Sequence, residues 1–150
     1  GIFIDRSDRT SSIEQIRLHA ASVLTPGTGA VIFPDQQRPY PRRIRHQQRE
    51  WDRKQPDLQV SKWMTDTCFP KSGGLWHFAD AITELDAVRF LDCTVVEPET
   101  VYHYGGELHF DVREISRREL LGEPENEEHL RTKLIELWQR KNEMMRERRT

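Results

Sequence analysis

Hydrophobic positions along this chain form short runs separated by spaced stripes, and the two patterns predict different elements. Ile2, Phe3 and Ile4 are a brief apolar run closed by the charges of Asp5 and Arg6, which predicts a short buried strand. The polar residues Ser7 to Ser12 suit a helix cap, and Ile13, Ile16, Ala20, Val23 and Leu24 then recur at helical spacing until Pro26 and Gly27 stop them. Ala30 to Phe33 predicts a second strand that runs straight into Pro34, Asp35, Gln36, Gln37 and Arg38. A strand, helix, strand unit of this length suits a right-handed parallel crossover. Both strands then end on the same side of a sheet, so Arg6 is expected near the Asp35 to Arg38 stretch.

Further on, Thr67 to Pro70 predicts a short extended piece leading into Lys71, Ser72, Gly73 and Gly74. Leu75, Phe78, Ala79, Ile82 and Leu85 follow at the spacing of an amphipathic helix. Its start beside Lys71 would favour an anion or a carbonyl oxygen, since unpaired amides and the helix dipole both face that way. Ala87 to Val96 predicts a central strand ended by Glu97, Pro98 and Glu99. Leu108, Phe110, Val112 and Ile115 interleave with His109, Asp111 and Arg113 as in a half-exposed strand whose period slips at its end. After Pro124, the acids Glu125, Glu127 and Glu128 open a final helix with the stripe Leu130, Leu134, Leu137, Trp138 and Met145, and Arg146, Arg148 and Arg149 close it. The expected fold class is α/β, one domain over residues 1–150, with a mixed, mostly parallel sheet flanked by helices.

Composition narrows the function. The chain is 35% hydrophobic and 32% charged, which means a thin buried layer inside a broad solvated rim. Its net charge of −2 provides no global field for nucleic acid, so a basic partner site has to be local. One local site is visible: Arg38, Arg42, Arg43, Arg45, Arg49, Arg53 and Lys54 oppose only Glu50 and Asp52, with Trp51 and Trp63 at the end of the run. Pro39 and Pro41 are expected to keep its first part in a loop. The run reads as a solvated face or as a surface for anionic headgroups or a nucleotide. No apolar stretch approaches the roughly 18 residues of a membrane span. Cys68 and Cys93 are too few for a disulfide framework and are expected to be reduced, buried thiols of a protein facing the cytosol. The chain also begins on Gly1 and an apolar run, which fits a start in mid-fold.

Among motifs that carry chemistry, neither a His-Glu-x-x-His zinc pattern nor a Gly-x-Ser-x-Gly elbow is present. The six histidines have no partners at ligand spacing, so neither a metal nor a cofactor is expected. What remains is an anion pocket of Arg6, Arg38 and Lys71 with Asp35 beside them. Arginine clamps phosphate with two parallel hydrogen bonds, lysine adds a point charge, and a carboxylate can accept a hydrogen bond from a substrate hydroxyl.

These residues resemble a known family. Gly1-Ile2-Phe3-Ile4-Asp5-Arg6, then Ile32-Phe33-Pro34-Asp35-Gln36-Gln37-Arg38, then Phe69-Pro70-Lys71-Ser72-Gly73-Gly74 are similar, in order and spacing, to motif blocks of the glycerolipid acyltransferases of the lysophosphatidate (1-acylglycerol-3-phosphate) type. The segment Leu85 to Val96, with Asp92-Cys93-Thr94, resembles that family's strand ending in an Asp-x-Thr step. Leu137, Trp138, Lys141, Asn142 and Glu143 look like its Trp- and Lys-containing tail.

The resemblance implies acyl transfer from acyl-CoA or acyl carrier protein to a hydroxyl of a lysophospholipid acceptor, as in phospholipid biosynthesis at the cytoplasmic face of a membrane. By position, Arg6 and Arg38 would hold the acceptor phosphate, Asp35 would contact its glycerol hydroxyls, and Pro70 with Lys71 would shape the acyl-donor side. Two departures stand out. The family's Glu-Gly-Thr is Asp35-Gln36-Gln37 here. The family's general base is the histidine of an upstream His-x4-Asp motif, whereas the positions five after each histidine here are Leu24, Trp51, Ile82, Leu108, Glu114 and Leu134. The chain is therefore expected to be the C-terminal portion of such an enzyme, supplying acceptor binding but no catalytic residue. The reading from another class is a non-catalytic module that binds anionic lipid or a phosphate ligand through the same basic surface.

Overall fold

A computed structural model describes residues 8–35, 39–82, 88–96 and 109–147. Helix α1 spans Arg9–Ala20 and continues as a 3-10 turn over Ala21–Leu24. The polar run before it does supply the cap, through Asp8, whose side chain accepts a hydrogen bond from Ser11 N–H at 3.0 Å. Helix α2 spans Pro41–Lys54. Pro41 does not delay this helix, as the sequence suggests, but begins it. At the first helical position the missing N–H has no partner to lose, and the fixed φ already suits a helix.

Short helix α3, Val60–Trp63, follows, and an extended loop then leads to α4, Gly73–Asp80. Strands β1, Phe90–Val96, and β2, His109–Ile115, pair antiparallel with Phe90 opposite Ile115 and Val96 opposite His109. Helix α5, Arg117–Leu121, is capped by Ser116 Oγ, which accepts from Glu119 N–H at 3.1 Å. Gly122 ends it at φ +85, where a Cβ would stand 2.8 Å from the His129 ring, so only glycine fits. Helix α6, Glu127–Glu147, closes the described chain, with Asn126 Oδ1 accepting from His129 N–H at 2.8 Å at its start.

The core has two parts. The larger gathers Ile44 of α2, Val60, Trp63 and Met64, Phe69 of the loop, Ile115 of β2, Leu120 and Leu121 of α5, and the α6 stripe Leu130, Leu134, Leu137 and Trp138. The smaller packs Ile16 and Ala20 of α1 against Phe78 and Ile82. Helix α4 joins them, because Ala79 belongs to the first cluster and Phe78 to the second. All three helical stripes expected from the sequence supply buried residues to these clusters: Ile16 and Ala20 from α1, Phe78, Ala79 and Ile82 from the α4 stripe, and Leu130, Leu134, Leu137 and Trp138 from α6. Leu85 lies outside the described residues.

The strands differ from expectation. The Ile2 to Ile4 strand lies outside the described residues. Residues 30–33 carry no strand; Val31 and Phe33 are exposed and the segment reaches the loop of residues 67–72 instead of a sheet. The described sheet is therefore the β1–β2 pair, and β1, expected to be central, has one partner strand among the described residues.

Its polarity is also inverted. Leu91, Val95, Phe110 and Val112 share the face turned to solvent, while Asp92 and Thr94 of β1 and Asp111 of β2 turn toward α6. Cationic α6 side chains draw that polar face inward: Lys141 donates to Thr94 Oγ1 at 2.8 Å and pairs with Asp92, and Arg140 reaches Asp111 at 3.3 Å. For the same reason Cys93, expected to be buried, is exposed on the outer face, while Cys68 is buried as expected.

Candidate functional site

The site forms around the loop of residues 64–72, which is tied down from both sides. On one side Gln48 Nε2 donates to the Met64 carbonyl at 2.8 Å, and Gln47 Oε1 accepts from Phe69 N–H at 2.8 Å. On the other, Asn142 Oδ1 of α6 accepts from Thr65 and Asp66 N–H at 2.9 and 2.8 Å. Phe69 is consequently buried, its ring stacked on Trp51 of α2 at a centroid distance of 3.9 Å and 16° between planes. Pro70 is buried behind it, and Lys71 emerges exposed.

One backbone contact joins this loop to the segment Phe33-Pro34-Asp35: Lys71 N–H donates to the Pro34 carbonyl at 2.9 Å. Three of the residues singled out from the sequence, Asp35, Pro70 and Lys71, thereby meet at one place. Arg6 and Arg38 lie outside the described residues. The field of Asp35 is felt at Cys68, whose thiol is pushed above its ordinary pKa first by burial and then by the Asp35 carboxylate, with Arg43 acting in the opposite sense. A buried thiol held protonated is a poor nucleophile.

The start of α4 differs from the sequence expectation. Ser72, its N-cap residue, makes no capping bond to its own helix; its hydroxyl donates to Glu127 Oε1 at 2.9 Å. A Cβ on Gly73 would stand 3.9 Å from the same carboxylate oxygen. The anion beside the glycines is thus a side chain of this chain, Glu127 at the start of α6.

Two open clefts flank the Trp51–Phe69 stack. One, of about 520 Å³, lies between Pro70, Lys71, Ser72 and Gly73 and the start of α6, with Glu127, Glu128 and Arg131 on its far wall. The other, of about 630 Å³, runs along α2 and is lined by Tyr40, Arg42, Arg43, Lys54 and Lys71. Lys71, Trp51 and Phe69 border both. Lys54 and Arg131 place cationic groups 5.5 and 5.8 Å from the Trp51 ring centroid, and Arg43 lies over the Tyr40 ring at 4.2 Å. Glu50, in the second cleft, stays ionised below its ordinary pKa because Lys54 hydrogen-bonds it at 2.6 Å.

Tyr40, Glu127 and Arg131 carry no motif. Tyr40 could have been found from its spacing ahead of Arg43 and Gln47 on one helical face. Glu127 and Arg131 give no such signal, because only folding brings the start of α6 to the loop. The described residues contain no group of three or more His, Cys, Asp or Glu able to hold a metal ion, and no described helix is long and apolar enough to cross a membrane. Protein-family models, curated proteins and solved structures all give no match to the chain.

Proposed function

We propose that this chain is the acceptor-binding part of an acyltransferase of the glycerolipid, lysophosphatidate type, with a fold built on a mixed, mostly parallel sheet. On this reading Asp35 accepts a hydrogen bond from a glycerol hydroxyl, Arg6 and Arg38 neutralise the acceptor phosphate, and Pro70 with Lys71 borders the approach of an acyl thioester. The observation that carries it is the hydrogen bond from Lys71 N–H to the Pro34 carbonyl at 2.9 Å, which joins two blocks that the sequence relates to the same family for separate reasons. A second supporting contact links the other two blocks, since Lys141 of the Trp- and Lys-containing helix bonds Thr94 of the Asp-x-Thr strand.

A carboxylate and cations do not remove a hydroxyl proton at neutral pH without a base of suitable pKa. Because no histidine of the chain is followed five positions on by aspartate, that base comes from outside this sequence in our reading. The chain then binds acceptor but has no turnover alone. The test is titration of the purified chain with a short-chain lysophosphatidate, alongside an acyl-transfer assay with acyl-CoA and with acyl carrier protein. Saturable acceptor binding, weakened about tenfold by Arg38→Ala, is the expected result for a lost charge-assisted phosphate contact. Acceptor binding indifferent to Arg38→Ala, or robust transfer by the chain alone, overturns it.

The cationic lining of the α2 cleft favours one other reading, a non-catalytic module for anionic lipid or a phosphate ligand. The coding sequence ahead of Gly1 separates the two: a His-x4-Asp motif there speaks for the enzyme, and a native start at Gly1 for the module.

A further inference from the structure

The basic run that begins at Arg38 is not spread evenly around α2. Arg45, Arg49 and Arg53 are exposed and line neither cleft, whereas Arg42, Arg43 and Lys54 converge on the second cleft with Lys71 of the facing loop. Four cationic side chains there oppose the single acid Glu50, in a chain whose net charge is −2. Glu50 is itself engaged by Lys54 at 2.6 Å, and the side chains of Arg42 and Lys71 make no ion pair among the described residues. Like charges converging on one concavity repel one another, and a bound polyanion relieves that repulsion.

The shape and the aromatic wall specify the anion further. A cleft of about 630 Å³ falls within the roughly 300–1,000 Å³ typical of small-molecule sites. Tyr40 is 47% exposed, with the Arg43 guanidinium 4.2 Å from its ring centroid, so a flat ring laid beside them meets an aromatic side chain and a planar cation together. Arg42 and Lys71 offer a fork and a point charge to phosphoryl oxygens in the same cleft.

We propose that the α2 cleft is a binding site for a nucleoside diphosphate, the base against Tyr40 and Arg43 and the phosphates between Arg42 and Lys71. The site shares Lys71 with the acyltransferase reading but uses neither Asp35 nor the motif arginines Arg6 and Arg38, so ADP binding and lysophosphatidate binding are read separately. Its test is isothermal titration of the chain with ADP, pyrophosphate and adenosine at low salt, and co-sedimentation with phosphatidylcholine vesicles with and without phosphatidate. ADP is expected to bind saturably, about tenfold more tightly than pyrophosphate or adenosine, because only ADP engages both the aromatic and the cationic lining of the cleft. Arg42→Ala and Lys71→Ala are each expected to weaken ADP roughly fivefold or more with unchanged circular dichroism, since both side chains are exposed. Arg118→Ala, which removes an exposed arginine paired with Glu123 on α5, is expected to leave ADP binding as it was. Absence of ADP binding overturns the proposal, as does pyrophosphate binding as tightly as ADP, or ADP binding unmoved by both substitutions. Capture by phosphatidate vesicles without ADP binding overturns it in favour of a lipid headgroup.

Discussion

Lys141 of α6 and Asp92 of β1 form an ion pair that is almost closed to solvent, with side-chain exposures of 7% and 11%. The ammonium group is fully used, because it also donates to the Cys93 carbonyl at 3.1 Å and to Thr94 Oγ1 at 2.8 Å. This contact adds a polar tie between the sheet and the long helix to the apolar packing of Ile115 and Phe90 in the larger core cluster. Removing one member strands the other charge in a dry site, which costs about 3–5 kcal/mol, whereas replacing both with apolar groups of similar volume is far less costly. Lys141→Met and Asp92→Leu are each expected to lower the unfolding free energy by about 3 kcal/mol in urea titrations, and the double variant by much less than their sum. Additive losses would show that the two charges do not depend on each other.

Asn142, the next residue of α6, is completely buried and fully satisfied. Its Oδ1 accepts from Thr65 and Asp66 N–H, and its Nδ2 donates to Thr67 Oγ1 at 2.8 Å and the Trp138 carbonyl at 2.7 Å. Asn142→Leu deprives two backbone donors of their acceptor and is expected to cost about 2–4 kcal/mol. Asn142→Asp keeps the acceptor but puts an ionised carboxylate next to a carbonyl. Its deficit relative to wild type should therefore shrink as the solution is acidified and the carboxylate is neutralised, which paired urea titrations at neutral and acidic pH will read. A deficit that is constant with pH would mean that the carboxylate reaches water.

The helices were legible in the sequence because a buried stripe repeats along the chain. Leu130, Leu134, Leu137 and Trp138 mark the inner face of α6 without reference to any neighbour. The strands were less so. Alternation of Phe110 and Val112 with Asp111 and Arg113 says that two faces differ, and only the cations on α6 decide which face turns inward. The site was partly legible: Asp35, Pro70 and Lys71 do meet, but through a loop hydrogen bond rather than at the rim of a parallel sheet. Glu127 could not be foreseen at the start of α4, because it lies 55 residues from Ser72 in the chain.

The inverted sheet makes a prediction that contradicts the hydrophobic pattern. Phe110 and Val112 are 63% and 57% exposed, while Ile115 on the same strand is 3% exposed. Val112→Thr and Phe110→Thr are then surface changes and are expected to alter stability by no more than about 0.5 kcal/mol. Ile115→Ala opens a cavity in the larger core cluster and is expected to cost about 2–5 kcal/mol. Thermal or urea unfolding of the three variants tests the orientation directly, and a large loss at Phe110 would mean that the sheet face is covered.

Glu119 of α5 gives the fold an acid-sensitive joint. Its carboxylate meets Lys133 of α6 at 3.1 Å and also Arg113 of β2, so one group ties three elements. The hydrogen bond from Lys133 and the charges of Lys133 and Arg113 lower its pKa from an ordinary 4.5 against the opposing effect of burial. At Lys133 burial likewise opposes the charged form, but its bonds to Glu119 and Glu136 outweigh that and raise its pKa. A lowered carboxylate pKa means that the unfolded chain binds the proton more readily than the folded one. The stabilisation is therefore complete above about pH 4.5 and is lost as pH falls through the lower folded value. Glu119→Gln keeps the size and removes the charge, so it should reduce stability at pH 7 and flatten the acid limb of the stability curve. Unfolding free energies measured from pH 7 down to pH 3 should thus converge for the two proteins at the acid end. Parallel curves would show that Glu119 titrates alike in the folded and unfolded chains.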